Sequence, residues 1–334
     1  MIRPAFLRKG DLVGVTAPSA GASEPLDKVR FLHAQDMLAE RGYATLFTPN
    51  TFTDIGDERS SPAEQRAREL ELLIADRDIR YIVSASGGDY LNEIFDHLDL
   101  SGLADDPKWI QGYSDNTDLL IAATVNYDVM SIYCGNYGDY GMEPWHRSVA
   151  ENLEFVEGKR SRQESFDMHA EGFTDRITGL EPFECTAPTV WTPDVSFSGR
   201  LIGGCLDKLQ MMAGGPRDRM RDFSERYRDD GIVWFMETYV SDPEGVTSAL
   251  DTMSACGWFE NVRGFIFGRP LFFEGDYRKA VESSIGGLGV PMVFDADVGH
   301  KAPRMTMVNG AYAEIKVNGG KCTLTYPELG PKGN

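Results

Sequence analysis

The 334-residue sequence predicts an α/β protein of two domains: a parallel-sheet domain first and a mixed α+β domain after it. Three observations carry this. The first half alternates short apolar runs with amphipathic segments, the signature of βαβ units. The length exceeds what one core ordinarily fills. The second half ends in a strand pair joined by Asn318-Gly319-Gly320, a turn that needs positive φ.

Taken in order, residues 12–18 (LVGVTAP) read as a strand, 26–41 as a helix, 44–49 (ATLFTP) as a strand and 62–75 as a helix. The series continues through 81–88 (YIVSASGG), 91–98 (LNEIFDHL), 109–115 (WIQGYSD), 118–127 (DLLIAATVNY) and 130–136 (MSIYCGN). From Asn136 to Pro193 the pattern weakens, with a helix at 148–160 as its one clear element, so this stretch reads as a linker plus a binding loop. The domain boundary falls near residue 165, giving domains 1–165 and 166–334. Beyond it come a helix in 203–215, a strand at 232–239, a helix at 246–259, strands at 264–268 and 292–297, and the hairpin at 311–326.

Hydrophobic residues at 42% and charged residues at 25% fit an ordinary globular chain. A net charge of −19 disfavours binding to nucleic acid or anionic lipid, which asks for a basic face. No apolar stretch approaches the ~20 residues that span a bilayer. The N-terminus lacks a signal-peptide cleavage pattern, so the expected compartment is the cytoplasm. Cys134, Cys185, Cys205, Cys256 and Cys322 are odd in number and form no C-x-x-C pair, which fits reduced thiols. Neither a phosphate loop nor a G-x-G-x-x-G fingerprint is present, and no cofactor is expected.

Three residues at strand ends suggest chemistry: Ser114 in GYSDNTD, Glu237 in IVWFMETYV and His300 in VFDADVGHKAP. A serine hydroxyl becomes a nucleophile when a histidine takes its proton and a carboxylate orients that histidine. Each has a plainer reading. Ser114 sits where a helix N-cap would, Glu237 where a strand reaches the surface, and His146 rivals His300 from the central loop. Gly87-Gly88, after the strand in SASGGDY, either lets backbone amides approach a ligand or makes a simple turn. Asp295, Asp297 and His300 are close enough in sequence to compete as a metal site, but no metal-ligand motif accompanies them and no metal is expected. An α/β-hydrolase shares the chain order Ser, acid, His, yet Asn116 stands where the second glycine of its nucleophile elbow would be.

Taken together, GDLVGVTAPS, SASGGD, GYSDNT, LIGGCLDKL, FMETY, GFIFGRP and the G-H-x-x-P segment at 299–303 resemble the LD-carboxypeptidase family of serine peptidases, which includes the microcin C immunity peptidases. The resemblance implies a flavodoxin-like or amidotransferase-like N-terminal domain, a smaller β-rich C-terminal domain and a homodimer. It makes Ser114 the nucleophile, His300 the base and Glu237 its orienting acid, with the amides of Gly88 and Asp115 as oxyanion hole. Asp89-Tyr90-Leu91-Asn92 after the glycines leans toward the microcin-immunity branch, in which a loop tryptophan stacks on an adenine ring, and Trp191, or else Trp145, is the candidate. A murein-peptide substrate would instead need a cation for its terminal carboxylate, and Arg304 is the candidate. The expected activity is that of a serine carboxypeptidase on a small peptide or an aminoacyl-nucleotide. A non-catalytic small-peptide-binding protein on the same scaffold is the alternative.

Overall fold

The computed structural model of the chain describes residues 1–330. They form two compact units: Met1–Arg160 with Thr174–Phe183, and Ser161–Phe173 with the chain from Glu184 onward.

In the first unit, strands β1 (Leu12–Thr16), β2 (Ala44–Phe47), β3 (Ile79–Ser84), β4 (Trp109–Gly112) and β5 (Ser131–Tyr133) pair in parallel. Their order is 2-1-3-4-5, the flavodoxin-like arrangement, and the strand order reverses between β1 and β3. The strands β1, β3 and β4 are almost continuously buried, which is why they read as unbroken apolar runs. Between them lie α1 (Pro25–Glu40), opened by proline, α2 (Ala63–Ala75), the short α3 (Gly102–Asp105), α4 (Thr117–Tyr127) and α5 (Arg147–Val156). Phe31, Phe52 and Tyr137 close on Phe47 with ring centroids 5.0 to 6.4 Å away, packing α1 against the sheet edge. Residues 91–96 form a 3₁₀ turn.

The second unit holds β6 (Arg162–Glu164), β7 (Met168–His169), β8 (Ala187–Pro188), β9 (Val195–Cys205), β10 (Ile232–Glu237), β11 (Val262–Gly268), β12 (Met292–Ala296), β13 (Met307–Asn309), β14 (Tyr312–Asn318) and β15 (Lys321–Thr325). Its main sheet runs 12-11-10-9-14-15-6; strands 12 to 9 are parallel and the rest antiparallel. The helices are α6 (Leu206–Met212), α7 (Met220–Arg226), α8 (Pro243–Ala255) and α9 (Tyr277–Ile285). Asp242 and Asp276 cap α8 and α9 by accepting from Gly245 N–H at 2.7 Å and Lys279 N–H at 2.9 Å. Gly319 and Gly320, at φ 60° and 78°, make the expected hairpin turn between β14 and β15. Among the described residues no helix is long and apolar enough to cross a membrane.

The predicted fold class holds, a parallel α/β unit followed by a β-rich one, with two local departures. Residues 203–205, expected at the start of a helix, end strand β9. Its glycines allow close strand approach: a Cβ on Gly203 would lie 1.7 Å from Phe235 O, and one on Gly199 would lie 2.8 Å from Gly231 O. The stretch 136–193, expected as linker and loop, is divided. Arg30, buried in α1, draws 174–183 into the first unit by donating to Gly179 O at 2.9 Å and Glu181 O at 3.1 Å. Residues 162–164 add strand β6 to the second unit's sheet.

Gly203→Ala should therefore force β9 and β10 apart and destabilise the protein by about 3 kcal/mol, the upper range for overpacking. Denaturant unfolding followed by circular dichroism should show a lower midpoint with an unchanged slope.

Candidate active site

The carboxyl ends of β1, β3 and β4 converge where ligands bind in doubly wound sheets. Ser114 follows β4 and a single 3₁₀ turn, Ser114–Asn116, leads into α4, whose N-cap is Asn116. Ser114 has φ +64°, a left-handed conformation rare for a residue with a side chain, found where the surroundings over-determine the backbone. Those surroundings are visible. Ser114 N–H donates to Tyr133 Oη at 3.1 Å, and the Asn116 side-chain amide donates to Ser86 O at 2.9 Å and Tyr113 O at 3.0 Å. Asn116, in the position of the missing elbow glycine, thus ties the turn to the end of β3.

Gly87 and Gly88 are needed for contact. A Cβ on Gly87 would sit 3.2 Å from Ser114 Oγ, and one on Gly88 (φ +137°) would sit 2.5 Å from Ser19 Oγ. Ser19, after β1, donates to Asp115 Oδ2 at 2.5 Å, and the same oxygen accepts from Leu91 N–H at 2.8 Å. The Asp115 side chain therefore fixes the backbone next to the serine, and does so from the loops after β1 and β3.

The second unit supplies a histidine–carboxylate pair. Glu237 ends β10 fully buried, and His300 Nδ1 lies 2.8 Å from its Oε2. Two glycines make room for the carboxylate: a Cβ on Gly299 (φ +101°) would fall 2.5 Å from Glu237 Oε2, and one on Gly268 would fall 2.9 Å from Glu237 Cβ. Arg304 is buried and clasps the histidine loop, donating from Nε to Gly299 O at 2.6 Å. Asp207, at the start of α6, accepts from Thr238 Oγ1 at 3.0 Å and Tyr239 N–H at 2.9 Å, and the Tyr239 ring lies 4.5 Å from the His300 ring. Asp207 and Tyr239 escape a sequence reading focused on the triad, although both lie in its quoted segments LIGGCLDKL and FMETY. Cys205 pairs in register with Glu237, and burial, then Glu237 and Asp207, push its thiol far above the ordinary range, so it is a protonated, inert thiol.

The other candidates have structural partners. Trp191 is fully buried, its indole N–H donating to Asp297 Oδ2 at 3.1 Å, so stacking on a ligand would require it to leave this position. Trp145 is half-buried, with the Arg41 guanidinium 3.8 Å from its ring centroid. His146 caps α5, accepting from Ser148 N–H at 3.1 Å, and burial followed by Arg147 lowers its pKa. Asp297, part of the competing metal reading, binds Arg269 at 2.6 Å and accepts from Phe166 N–H at 3.0 Å.

Residues 13–134 match the LD-carboxypeptidase N-terminal domain and residues 198–315 the LD-carboxypeptidase C-terminal domain. The chain belongs to the LD-carboxypeptidase family of serine peptidases. A Vibrio cholerae protein assigned as a carboxypeptidase is 27% identical, with 94% of this chain and 95% of that protein covered. The microcin C7 self-immunity protein MccF of Escherichia coli is 24% identical, with 97% and 96% covered. Its structure with aspartyl sulfamoyl adenosine superposes with a TM-score of 0.81 at 22% identity, covering 97% of this chain and 98% of that one. Muramoyltetrapeptide carboxypeptidase of Oxalobacter formigenes gives a TM-score of 0.70 at 19% identity, covering 97% of this chain and all of that one (100%).

Gly299→Ala should break the His300–Glu237 contact, since the new methyl group would occupy the carboxylate's place. The downfield proton resonance of a histidine–carboxylate hydrogen bond should disappear from the NMR spectrum, with a stability loss of about 1–3 kcal/mol.

Proposed function

We propose that the protein is a Ser-His-Glu carboxypeptidase in which Ser114 is the nucleophile, His300 the general base and Glu237 the residue that orients it. The observation that carries this reading is the buried 2.8 Å contact between His300 Nδ1 and Glu237. With Nδ1–H donating to the carboxylate, Nε2 is the basic nitrogen, as nucleophilic catalysis by serine requires. Ser114 Oγ attacks the amide carbonyl while Nε2 takes its proton. The tetrahedral oxyanion is held by the amides of Gly88 and Asp115. The imidazolium then gives its proton to the departing amine. Water, deprotonated by the same nitrogen, cleaves the acyl-enzyme and restores Ser114. The strained φ of Ser114 and the clearance left by Gly87 support its role, because together they leave room for the hydroxyl at the strand end.

The proposed substrate classes are drawn by analogy with the relatives. MccF binds aspartyl sulfamoyl adenosine and another relative is a muramoyltetrapeptide carboxypeptidase, so an aminoacyl-nucleotide and a murein peptide are the two candidates here. Arg304 supports the catalytic loop in this reading, because its donors point to Gly299 O and His300 O. We take a homodimer and a cytoplasmic location as part of the same reading.

Ser114→Ala should abolish turnover and leave the melting temperature near that of wild type. Glu237→Gln should lower kcat by a factor on the order of 10³–10⁴. The assay is mass spectrometry of a mixture of L-Ala-D-Glu-diaminopimelate-D-Ala tetrapeptide and aspartyl sulfamoyl adenosine. Serine-dependent loss of D-alanine identifies the murein substrate, and serine-dependent release of aspartate identifies the nucleotide one. Full activity in Ser114→Ala would overturn the mechanism.

A further inference from the structure

Beside the His300 loop, within the second unit, lies a cavity of about 440 Å³ whose lining includes Lys301, Asp295, Arg269, His169, Leu271 and Phe273. This volume is in the range of small-molecule sites. Its charges divide unevenly between satisfied and unsatisfied groups. Arg269, 5% exposed, is neutralised by the buried Asp297 at 2.6 Å and donates to Asp295 O at 2.6 Å, while its buried Nε has no hydrogen-bond partner among the described residues. Lys301 and Asp295 line the same cavity, yet neither side chain makes an ion pair or hydrogen bond with any described residue. Lys301 is half-buried, and burial, then Arg269, draws its pKa below the ordinary lysine value. Burial, then Arg269 and Lys301, holds His169 down at about 4, so it stands in the cavity as a neutral imidazole.

What remains on the wall is the half-buried ammonium of Lys301, which feels Glu171, and the exposed carboxylate of Asp295; the two attract each other but make no direct ion pair or hydrogen bond with a described side chain. A simple anion would meet Asp295, and a simple cation would meet Lys301. A ligand with both charges satisfies both groups, and Leu271 and Phe273 offer apolar surface to its side chain. We infer that this cavity is a binding site for a zwitterionic α-amino acid head group, its carboxylate at Lys301 and its ammonium at Asp295. The site stands on the geometry of the second unit and does not depend on the proposed hydrolysis. Two sources share this chemistry: an amino acid centre within the substrate or product, and a free amino acid acting as effector.

The test is isothermal titration of the wild-type protein with L- and D-leucine, isocaproate and isoamylamine, probes that share a side chain and differ in charge. Binding of a leucine enantiomer, with isocaproate and isoamylamine each about tenfold weaker or worse, is the expected result. Lys301→Gln and Asp295→Asn should each weaken leucine binding about tenfold, and Lys301→Arg should retain it. Asparagine suits the left-handed backbone at position 295 (φ 62°), so that variant should fold. Isocaproate binding as tightly as leucine, no binding of either enantiomer, or indifference to both variants would overturn the inference. Competitive inhibition by leucine assigns the site to substrate or product, and noncompetitive inhibition assigns it to an effector. Because titration needs no turnover, a failed hydrolysis assay and a failed binding site are separate outcomes.

Discussion

The arrangement depends most on one buried contact, His300 Nδ1 to Glu237 Oε2 at 2.8 Å. A carboxylate taken fully out of water is costly unless partnered, and breaking such a pair leaves the charge uncompensated. Much of the second unit accommodates it. β10 carries Glu237 to the end of a fully buried strand, and Gly268 and Gly299 give up side chains so that the carboxylate fits. Arg304 holds the loop by its backbone carbonyls, and Asp207 holds Tyr239 beside the imidazole. These contacts fix the ring's orientation, and in the proposed mechanism that leaves little reorganisation for the catalytic step.

The first unit solves a different problem, placing a small hydroxyl in a tight turn at the carboxyl end of β4, between β3 and β5. The left-handed conformation of Ser114 costs energy that a free chain would release. Tyr133, Asn116 and Thr117 hold the turn from three directions, Thr117 Oγ1 donating to Ser114 O at 2.7 Å. Glycine at 87 removes the nearest obstruction. A helix N-cap and a nucleophile turn draw on the same residue types, which is why local sequence leaves Ser114 open to both readings. The structure puts the N-cap of α4 at Asn116 and leaves Ser114 in a left-handed conformation before it.

Much of the fold was legible because it rests on local pattern. Parallel strands buried on both faces read as short apolar runs, and the helices between them have their own periodicity. Strand β9 was not legible, since Gly199, Gly203 and Gly204 resemble a turn until β10 is placed against them. Segment 174–183 joins the first unit through carbonyls that bind Arg30, a partner about 150 positions away that no local window contains. Trp191, the stacking candidate that the family resemblance offers, is bonded to Asp297, a long-range partner that no local window contains.

By itself the sequence determined the alternation of strands and helices in the first half, its parallel α/β character and the residue types able to do acyl-transfer chemistry. Tertiary structure decided which acid meets which base. Glu237 and His300 are 63 positions apart and pair because two glycines leave room, while Asp297 is claimed by Arg269 and Trp191. The physical reason is range. Backbone propensity and hydrophobic periodicity act within a few residues, whereas desolvation, charge pairing and van der Waals exclusion act between whichever atoms the fold brings together.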